Sequence, residues 1–348
     1  MSRLRVAVLM GGRSSEHEIS IASGRSVLAG LAEAGYEAVP IEISREGRWE
    51  LPPGPSVVAG HIPPLEKGDQ LAGVPVPVAA PERTAPFDSI DVVFPVLHGP
   101  FGEDGSVQGL LELAGIAYVG PGVAASAVAM DKDLFKTVMR GGGIPVTRSV
   151  TVRAHSRAAA TNPFGLPVVV KPARLGSSVG ITIVRTLEQL EPALELAFHH
   201  DEKVLIEEYV RGTEIECSVL GNDDPIASVV GEIVPKKSDW YDFASKYEEG
   251  GMELVIPARI SAAQTSRVRE LAVRSFLACD CEGMARVDLF VREDGEVLVN
   301  ELNTIPGFTS TSVYAKLFDA SGVSYTELLR RLVGLAVERH ERRTGLLY

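Results

Sequence analysis

Short apolar segments alternate with helix-like segments along the first third of the chain. Residues 4–10, 37–43 and 90–96 are apolar enough to form strands buried on both faces, which is typical of a parallel sheet. A turn at Gly11 and Gly12 follows the first of these strands, and a helix-like stretch then extends through Leu31. The pattern predicts a doubly wound α/β domain with a parallel sheet, which we assign to residues 1–121.

A different pattern begins after the glycine and proline cluster at 141–145. Strands and helices still alternate there, in a different pattern with shorter strands. The predicted elements are strands at 168–171, 181–184 and 204–207, and a helix at 187–198. We assign 122–212 to a central domain.

The last part of the chain, 213–348, combines strand pairs with two longer helices. Its predicted elements are strands at 214–220, 225–230, 285–291 and 296–301, and helices at 261–279 and 324–340. The Asp294-Gly295 pair between the third and fourth strands predicts a hairpin. The whole chain is therefore expected to mix α/β and α+β organisation over three domains.

Two segments carry no clear period. Residues 51–86 hold nine prolines, which cannot supply continuous ladder hydrogen bonds, so a surface excursion is expected, with a dimer contact as the alternative. A small hairpin around Gly47 precedes it. Residues 235–251 are charged and carry aromatic side chains, and a loop of that length in a compact enzyme is usually functional.

Composition narrows the classes of partner. The 348 residues carry 34 basic and 46 acidic side chains, and the net charge of −12 argues against nucleic acid as the main ligand. Three cysteines, Cys217, Cys279 and Cys281, provide no disulfide or metal framework and are expected to be buried filler. Neither a signal peptide nor a membrane span is recognisable, so we expect a cytoplasmic protein that does not bind membranes.

The first chemically dense cluster runs from His98 to Gly109, directly after a predicted buried strand. Its glycines allow a sharp turn and a close approach to a ligand, at the strand end where open α/β sheets bind ligands. A structural loop before a helix capped by Asp104 is the alternative. The density of His, Glu and Asp side chains favours a site.

The second cluster is Lys171 to Gly180, where a lysine closes an apolar strand and a glycine- and serine-rich turn follows. A cation next to exposed backbone amides suits phosphate oxygens. The segment is not a Walker A motif, because no Gly-Lys-Ser/Thr ends it. A plain β-hairpin explains the same pattern, so both interpretations stay open on these residues alone.

The third cluster pairs Arg286 and Asp288 with Glu301 and Asn303. Residues two apart on a strand point to the same face, so all four side chains converge if the two strands form the predicted hairpin. Oxygen ligands from Asp, Glu and Asn suit Mg²⁺, and burying them without a cation would be costly. These residues therefore predict a magnesium site.

Together the clusters resemble the D-alanine:D-alanine ligase family of the ATP-grasp superfamily. The resemblance spans nearly the whole chain in the family's order, through blocks at 11–18, 98–109, 130–132, 171–180, 246–247 and 286–307. It implies a three-domain ATP-grasp architecture and an enzyme that uses ATP to join two D-alanines through an acyl phosphate, for peptidoglycan precursors.

The resemblance also implies a set of nucleotide and metal contacts. Asp288, Glu301 and Asn303 would hold two Mg²⁺ or Mn²⁺ ions, with Glu301 bridging both. ATP would lie between the central and C-terminal domains. Its contacts would be Lys132, Lys171, Ser177, Ser178, Glu207, Glu208, Val210, Glu214, Lys246, Phe290 and Asn300.

The implied amino-acid sites draw on all three domains. Glu16 would hold the ammonium group of the first D-alanine, within a hydrogen-bonded set with Ser177 and Tyr247 that closes the site. Arg286 and the backbone N–H of Gly307 would stabilise the tetrahedral intermediate. The subsite for the second D-alanine would be lined by His98, Ser312 and Val313. A homodimer is also implied.

Two alternatives compete with this interpretation. A ligase of the same fold could use D-lactate or D-serine as its second substrate; Tyr247 argues against this, because its hydroxyl completes the closing set. A dinucleotide-binding oxidoreductase built on the first domain is disfavoured, because the turn after the first strand lacks the third glycine of that fingerprint.

Overall fold

The computed structural model describes residues 3–50, 87, 89–159, 161–235 and 252–346. They form three sheets with helices packed on them. The proline-rich segment and the loop at 236–251 fall outside these ranges, so the predictions made for them stay predictions.

The first sheet is the parallel one that the sequence predicts. Its strands are β1 (Arg5–Gly11), β2 (Glu37–Ile43), β3 (Trp49–Glu50), β4 (Val92–Pro95) and β5 (Ala117–Tyr118), in the order β3-β2-β1-β4-β5. Only β3 is antiparallel to its neighbour, which confirms the hairpin expected around Gly47. Helix α1 (His17–Glu33) follows β1, and α2 (Ser106–Leu113) precedes β5. Because β1 lies in the centre, its carboxyl end opens beside β4 at the switch point of the sheet.

The second sheet is antiparallel and has four strands. They are β6 (Ser149–Arg153), β7 (Val168–Pro172), β8 (Thr182–Val184) and β9 (Lys203–Glu208), in the order β6-β9-β7-β8. Helix α5 (Leu190–Phe198) covers one face. The sequence did not predict β6, because polar side chains alternate with valines there and only Val152 is buried.

The third sheet is a five-stranded antiparallel one. Its strands are β10 (Gly212–Gly221), β11 (Ile226–Pro235), β12 (Met252–Val255), β13 (Gly283–Arg292) and β14 (Val297–Asn303), in the order β12-β11-β10-β13-β14. Three helices pack on its inner face: α3 (Val123–Met130), α4 (Lys132–Gly141) and α6 (Ala262–Ala278). The side chain of Ser261 caps α6 and that of Asp131 caps α4. The predicted strand pairs are confirmed, although β10 and β11 are longer than expected.

The last two helices return to the first sheet. Helices α7 (Val313–Ala320) and α8 (Tyr325–Thr344) share one core with β1 and β4, in which Phe318 and Leu332 pack with Val8 and Phe94. The start and the end of the chain are thus held in the same hydrophobic cluster. The domain ranges assigned from the sequence stay a prediction.

The three cysteines are buried and free, as expected. Among the helices of the described ranges, none is long and apolar enough to cross a membrane.

Arg339 connects α8 to the first domain by hydrogen bonds and a cation–π contact. Its side chain is 3% exposed and donates hydrogen bonds to the carbonyl oxygens of Gly120 and Tyr118, the second at 2.7 Å. Its guanidinium also lies 4.2 Å from the centre of the Tyr118 ring. Removing the guanidinium would leave two buried carbonyl groups without donors, which is costly.

We expect Arg339→Met to lower the free energy of unfolding by roughly 3 kcal/mol, because both carbonyls lose their donors. Urea unfolding followed by circular dichroism measures the change. The matched control is Arg331→Met on the same helix, where the exposed pair with Glu327 should contribute less than about 0.5 kcal/mol. Equal losses in the two variants would contradict the role of Arg339.

Candidate active site

A cavity of about 370 Å³ lies between the second and third sheets. Its walls are apolar where Val169, Ile183 and Phe290 face one another, and polar elsewhere. The predicted nucleotide contacts within the described residues all line it: Lys132, Lys171, Ser177, Ser178, Glu207, Glu208, Val210, Glu214, Phe290 and Asn300. A flat apolar group and a charged group fit the two kinds of wall. Lys246 lies outside the described residues.

The loop between β7 and β8 overhangs this cavity. The two strands are antiparallel neighbours, so the segment is a hairpin, and its loop residues Gly176, Ser177 and Ser178 also line the cavity. Ser177 and Ser178 both adopt left-handed backbone conformations, with φ of 51° and 58°. Residues other than glycine rarely adopt this backbone conformation, because it is strained. Backbone strain of this kind is concentrated in ligand-binding segments.

A buried carboxylate between two lysines forms the inner wall of the cavity. Glu207, on β9, lies 2.7 Å from the Nζ of Lys171 and 3.0 Å from the Nζ of Lys136. Burial alone would raise the pKa of Glu207, but the two ammonium groups outweigh it and hold the pKa below its usual range. The carboxylate is therefore ionised, and Lys171 is held at the cavity wall.

The third sheet brings the predicted metal cluster together. In the register of β13 and β14, Arg286 lies opposite Asn303 and Asp288 opposite Glu301, so the convergence expected from the sequence is present. Asn303 donates to Asp288 at 3.0 Å, and Lys132 lies 3.4 Å from Glu301. Two carboxylates and an amide form a set of oxygen donors that fits Mg²⁺ or Mn²⁺.

Within the described ranges, no group of three or more His, Cys, Asp or Glu side chains is arranged to hold a metal ion. A metal ion at Asp288 and Glu301 would take a third oxygen ligand from the amide of Asn303. Asp288 is buried, so a cation there would offset the cost of burying the carboxylate.

Arg286 is oriented by two acids. It donates to both oxygens of Asp288, at 2.7 and 2.8 Å, and its Nε lies 3.0 Å from a carboxylate oxygen of Glu216. Glu216 is on β10, directly opposite Asp288, and is 1% exposed. These contacts fix the guanidinium at the rim of the metal cluster.

A second cavity, of about 510 Å³, opens between the first sheet and the third. The predicted amino-acid contacts line it: Glu16, His98, Ser177, Arg286, Gly307, Ser312 and Val313. Ser177 donates a hydrogen bond to the carboxylate of Glu16, which joins the β7–β8 loop to the first domain. Tyr247, the third expected member of that set, lies outside the described residues. The two cavities meet, since Gly176, Ser177 and Glu301 line both.

His98 and Glu103 line the second cavity and form hydrogen bonds with the backbone beside it. The Nδ1 of His98 lies 3.0 Å from the carbonyl oxygen of Ile305. Glu103 accepts hydrogen bonds from the backbone N–H groups of Gly99, at 2.7 Å, and Ile305, at 3.2 Å. Burial lowers the pKa of His98, so its imidazole is kept neutral. Burial, and the negative charge of Glu16, raise the pKa of Glu103 to about 8.

Sequence reasoning did not select Glu103, Glu216 or Lys136 as site residues. Glu103 stood within the block that begins at His98 but had no assigned role. Lys136 follows Lys132 by four residues on α4, so helical spacing could have placed it on the same face. Glu216 could have been found only by pairing β10 with β13 in the correct register.

These features define a class of protein. Two antiparallel sheets that enclose a nucleotide-sized cavity, with a carboxylate cluster at its mouth, are the architecture of an ATP-grasp enzyme. Residues 5–121 match the model of the D-ala D-ala ligase N-terminus, and 138–334 match that of the D-ala D-ala ligase C-terminus. The chain belongs to the D-alanine:D-alanine ligase family.

Individual relatives agree with this assignment. A D-alanine--D-alanine ligase of Deinococcus radiodurans is 48% identical, covering 96% of this chain and 98% of its own. The solved structure of the D-alanine-D-alanine ligase from Coxiella burnetii aligns with a TM-score of 0.81 at 36% identity, covering 99% of this chain and 97% of that one. The VanG D-Ala:D-Ser ligase of Enterococcus faecalis aligns with a TM-score of 0.80, also at 36% identity, covering 96% and 100%.

We expect Glu103→Gln to change how stability depends on pH. Between pH 4.5 and about 8 the folded protein keeps a proton on Glu103 that the unfolded chain has lost, so this group reduces stability as the pH rises. The variant lacks the effect. Its free energy of unfolding, relative to the parent protein, should therefore increase from pH 5 to pH 8, by about 1.4 kcal/mol for each pH unit in this range.

Urea unfolding of the variant and of the parent protein at pH 5, 6, 7 and 8 gives a curve of unfolding free energy against pH for each. Parallel curves for variant and parent would show that Glu103 is ionised in the folded protein at neutral pH.

Proposed function

We propose that the protein uses ATP to join two molecules of D-alanine into D-alanyl-D-alanine for peptidoglycan synthesis. The observation that carries the proposal is the meeting of the two cavities at Ser177 and Glu301. One cavity suits a nucleotide, and the other presents Glu16 and Arg286, which suit an ammonium group and a negatively charged centre. A phosphoryl group at the junction is within reach of an amino acid in the second cavity.

ATP binds in the first cavity. Its adenine lies between the apolar side chains, near Lys132, Lys171 and the segment from Glu207 to Val210, and its ribose contacts Glu214. The loop with Ser177 and Ser178 covers the phosphates, and Phe290 and Asn300 complete the wall. Lys246 reaches the γ-phosphate. Lysine side chains and backbone amides supply the positive field that the triphosphate requires.

Asp288, Glu301 and Asn303 would hold the two Mg²⁺ or Mn²⁺ ions that the family resemblance implies. When bound, such ions neutralise charge on the phosphate oxygens. Arg286 keeps Asp288 oriented through its paired hydrogen bonds, and Lys132 balances the charge of Glu301.

The first D-alanine is held by its ammonium group on Glu16, within the set formed with Ser177 and Tyr247. A carboxylate oxygen of this D-alanine attacks the γ-phosphorus of ATP. The bond to the β,γ-bridging oxygen breaks, ADP leaves, and an acyl phosphate forms. The Glu16–Ser177 contact across the domains limits access of water, which would hydrolyse this intermediate.

The second D-alanine binds beside His98, Ser312 and Val313. Its neutral amine attacks the carbonyl carbon of the acyl phosphate, and negative charge develops on the carbonyl oxygen. The C–O bond to the phosphate then breaks, and inorganic phosphate leaves with the proton that the amine loses as the peptide bond forms. Arg286 and the backbone N–H of Gly307 stabilise that oxygen. Donors placed at a developing oxyanion are commonly the largest single contribution to such a reaction.

The enzyme works as a homodimer in the cytoplasm. Its substrates are ATP and D-alanine, and neither nucleic acid nor membrane is a partner. The support for this part of the proposal is the family to which the chain belongs and the acidic net charge.

The reaction is tested with purified protein, ATP, Mg²⁺ and D-alanine, with a second amino or hydroxy acid offered in parallel. D-Alanine, D-serine and D-lactate are compared by phosphate release, and the products are identified by mass spectrometry. We expect D-alanyl-D-alanine to be the main product at neutral pH. Preference for D-serine or D-lactate would overturn the assignment of the second substrate but would leave the acyl phosphate step in place.

We expect Arg286→Ala to lower kcat by about 10²–10³, because the developing oxyanion loses a charged donor. Binding of ADP without added metal, measured by calorimetry, should change little, because Arg286 lines the second cavity and not the first. The control is Arg274→Ala, which removes an exposed arginine paired with Glu270 on α6. A wild-type rate in the Arg286 variant would contradict its role.

A further inference from the structure

Lys136 is a buried charge that the proposed mechanism does not use. Its side chain is fully buried, on the face of α4 turned toward β9. It does not line the nucleotide cavity, whereas its partner Glu207 does. A lysine ammonium is rarely buried so completely unless it is paired, because desolvation is costly. Its position behind the cavity wall therefore calls for an explanation.

The partners of Lys136 account for its charge. Its Nζ lies 3.0 Å from one oxygen of Glu207 and hydrogen-bonds the hydroxyl of Thr147. Lys171 takes the other oxygen of Glu207, at 2.7 Å. Burial lowers the pKa of Lys136 to about 8, against the pull of Glu207, so the ammonium form predominates at neutral pH. One carboxylate is thus shared by two ammonium groups.

Glu207 also lines the nucleotide cavity, so the carboxylate that the two lysines share lies at the cavity wall. Each oxygen of a carboxylate has two lone pairs, and each oxygen of Glu207 is paired with only one lysine. The oxygen paired with Lys171, a residue that itself lines the cavity, can therefore accept a hydrogen bond from a ligand. In the proposed function the adenine lies at this wall, and its exocyclic amino group is such a donor.

We infer that Lys136 is a positioning residue that keeps Glu207 oriented as a hydrogen-bond acceptor, and that it thereby sets the preference for a 6-amino purine over a 6-oxo purine. The inference rests on the proposed function, since it takes the cavity to bind ATP. With Lys136 present, Glu207 accepts from an amino group and repels a carbonyl oxygen. Without it, a buried Glu207 is protonated more readily and donates to a carbonyl instead.

Lys136 also affects Lys171. Because Glu207 divides its charge between two ammonium groups, Lys171 keeps an excess of positive charge for the phosphates. Loss of Lys136 would remove this excess, because an ionised Glu207 would neutralise Lys171 and a protonated Glu207 would no longer hold Lys171 at the cavity wall. The change at Glu207 and the change at Lys171 both weaken binding of an adenine nucleotide. Only the change at Glu207 alters the preference between 6-amino and 6-oxo purines.

The test compares ADP with inosine diphosphate, whose base carries a carbonyl oxygen in place of the amino group. Binding of each to the full-length protein is measured by calorimetry with Mg²⁺ and without D-alanine. We expect the wild-type protein to prefer ADP. In Lys136→Met the ratio of the two dissociation constants should shift about tenfold toward inosine diphosphate.

The Glu207→Gln variant, measured alone and in combination with Lys136→Met, shows whether Lys136 acts through Glu207. The side-chain amide introduced by this substitution offers its own N–H to a carbonyl, so the variant should also shift toward inosine diphosphate. Adding Lys136→Met to it should change the ratio no further, because no carboxylate is left to orient. A further shift in the double variant would overturn the inference.

Two more variants separate this role from simple stabilisation. Lys203→Gln removes another buried lysine, paired with Asp131 at 2.6 Å, away from the cavity, and should lower stability without changing the ratio. Lys136→Gln keeps polar contacts but no charge, and replaces the methionine variant if that one does not fold; it should shift the ratio in the same way. An unchanged ratio in a folded Lys136 variant would overturn the inference.

Failure of the proposed function gives a different result. A protein that binds ADP but ligates a different acid would leave the role of Lys136 intact. A wild-type protein that binds neither nucleotide would overturn both.

Discussion

The register of β13 against β14 is the constraint on which the reactive centre depends. It sets Asp288 opposite Glu301 and Arg286 opposite Asn303, so that two acids, an amide and a guanidinium lie in one row. A shift of β14 by one residue would turn Glu301 and Asn303 to the other face of the sheet, into the core that α6 covers and away from Arg286 and Asp288. The apolar residues that alternate with them, such as Val287 and Leu302, are buried in that core and hold the register. Packing on one face thus fixes the chemistry on the other.

The site is assembled from three sheets, and direct side-chain contacts join its parts. Ser177 connects the β7–β8 loop to Glu16 in the first domain, and Lys132 connects α4 to Glu301 in the third sheet. Each contact pairs a group at one cavity with a group at the junction of both. Ligands that bridge the cavities would add further contacts between the same elements, which is how binding energy is used to close an active site.

Strand pairing and the grouping of polar side chains could be predicted where the paired residues are close together in the sequence. The hairpin through Asp294 and Gly295 follows from two apolar strands and a turn pair, and the convergence of Arg286, Asp288, Glu301 and Asn303 follows from strand periodicity. Glu216 and Lys136 could not be found in this way, because their partners are distant in the chain and depend on sheet order and helix packing. Strand β6 was missed because its polar positions face outward beside only one fully buried valine. The roles assigned to the predicted site residues come from the resemblance to the D-alanine:D-alanine ligase family. The structure shows that the described ones among them lie around the two cavities.

Helix α8 has a consequence for how the chain is made. The core of the first domain, with Val8 and Phe94, is completed by residues such as Phe318 and Leu332, which are synthesised after the second and third sheets. Domains commonly fold in order as they leave the ribosome. Helix α1 contributes Val27 and Leu31 to this core, but the part that α7 and α8 cover stays exposed until those helices have been made. Completion of the first core is thus coupled to synthesis of α7 and α8, and a chain that stops before them would expose that part.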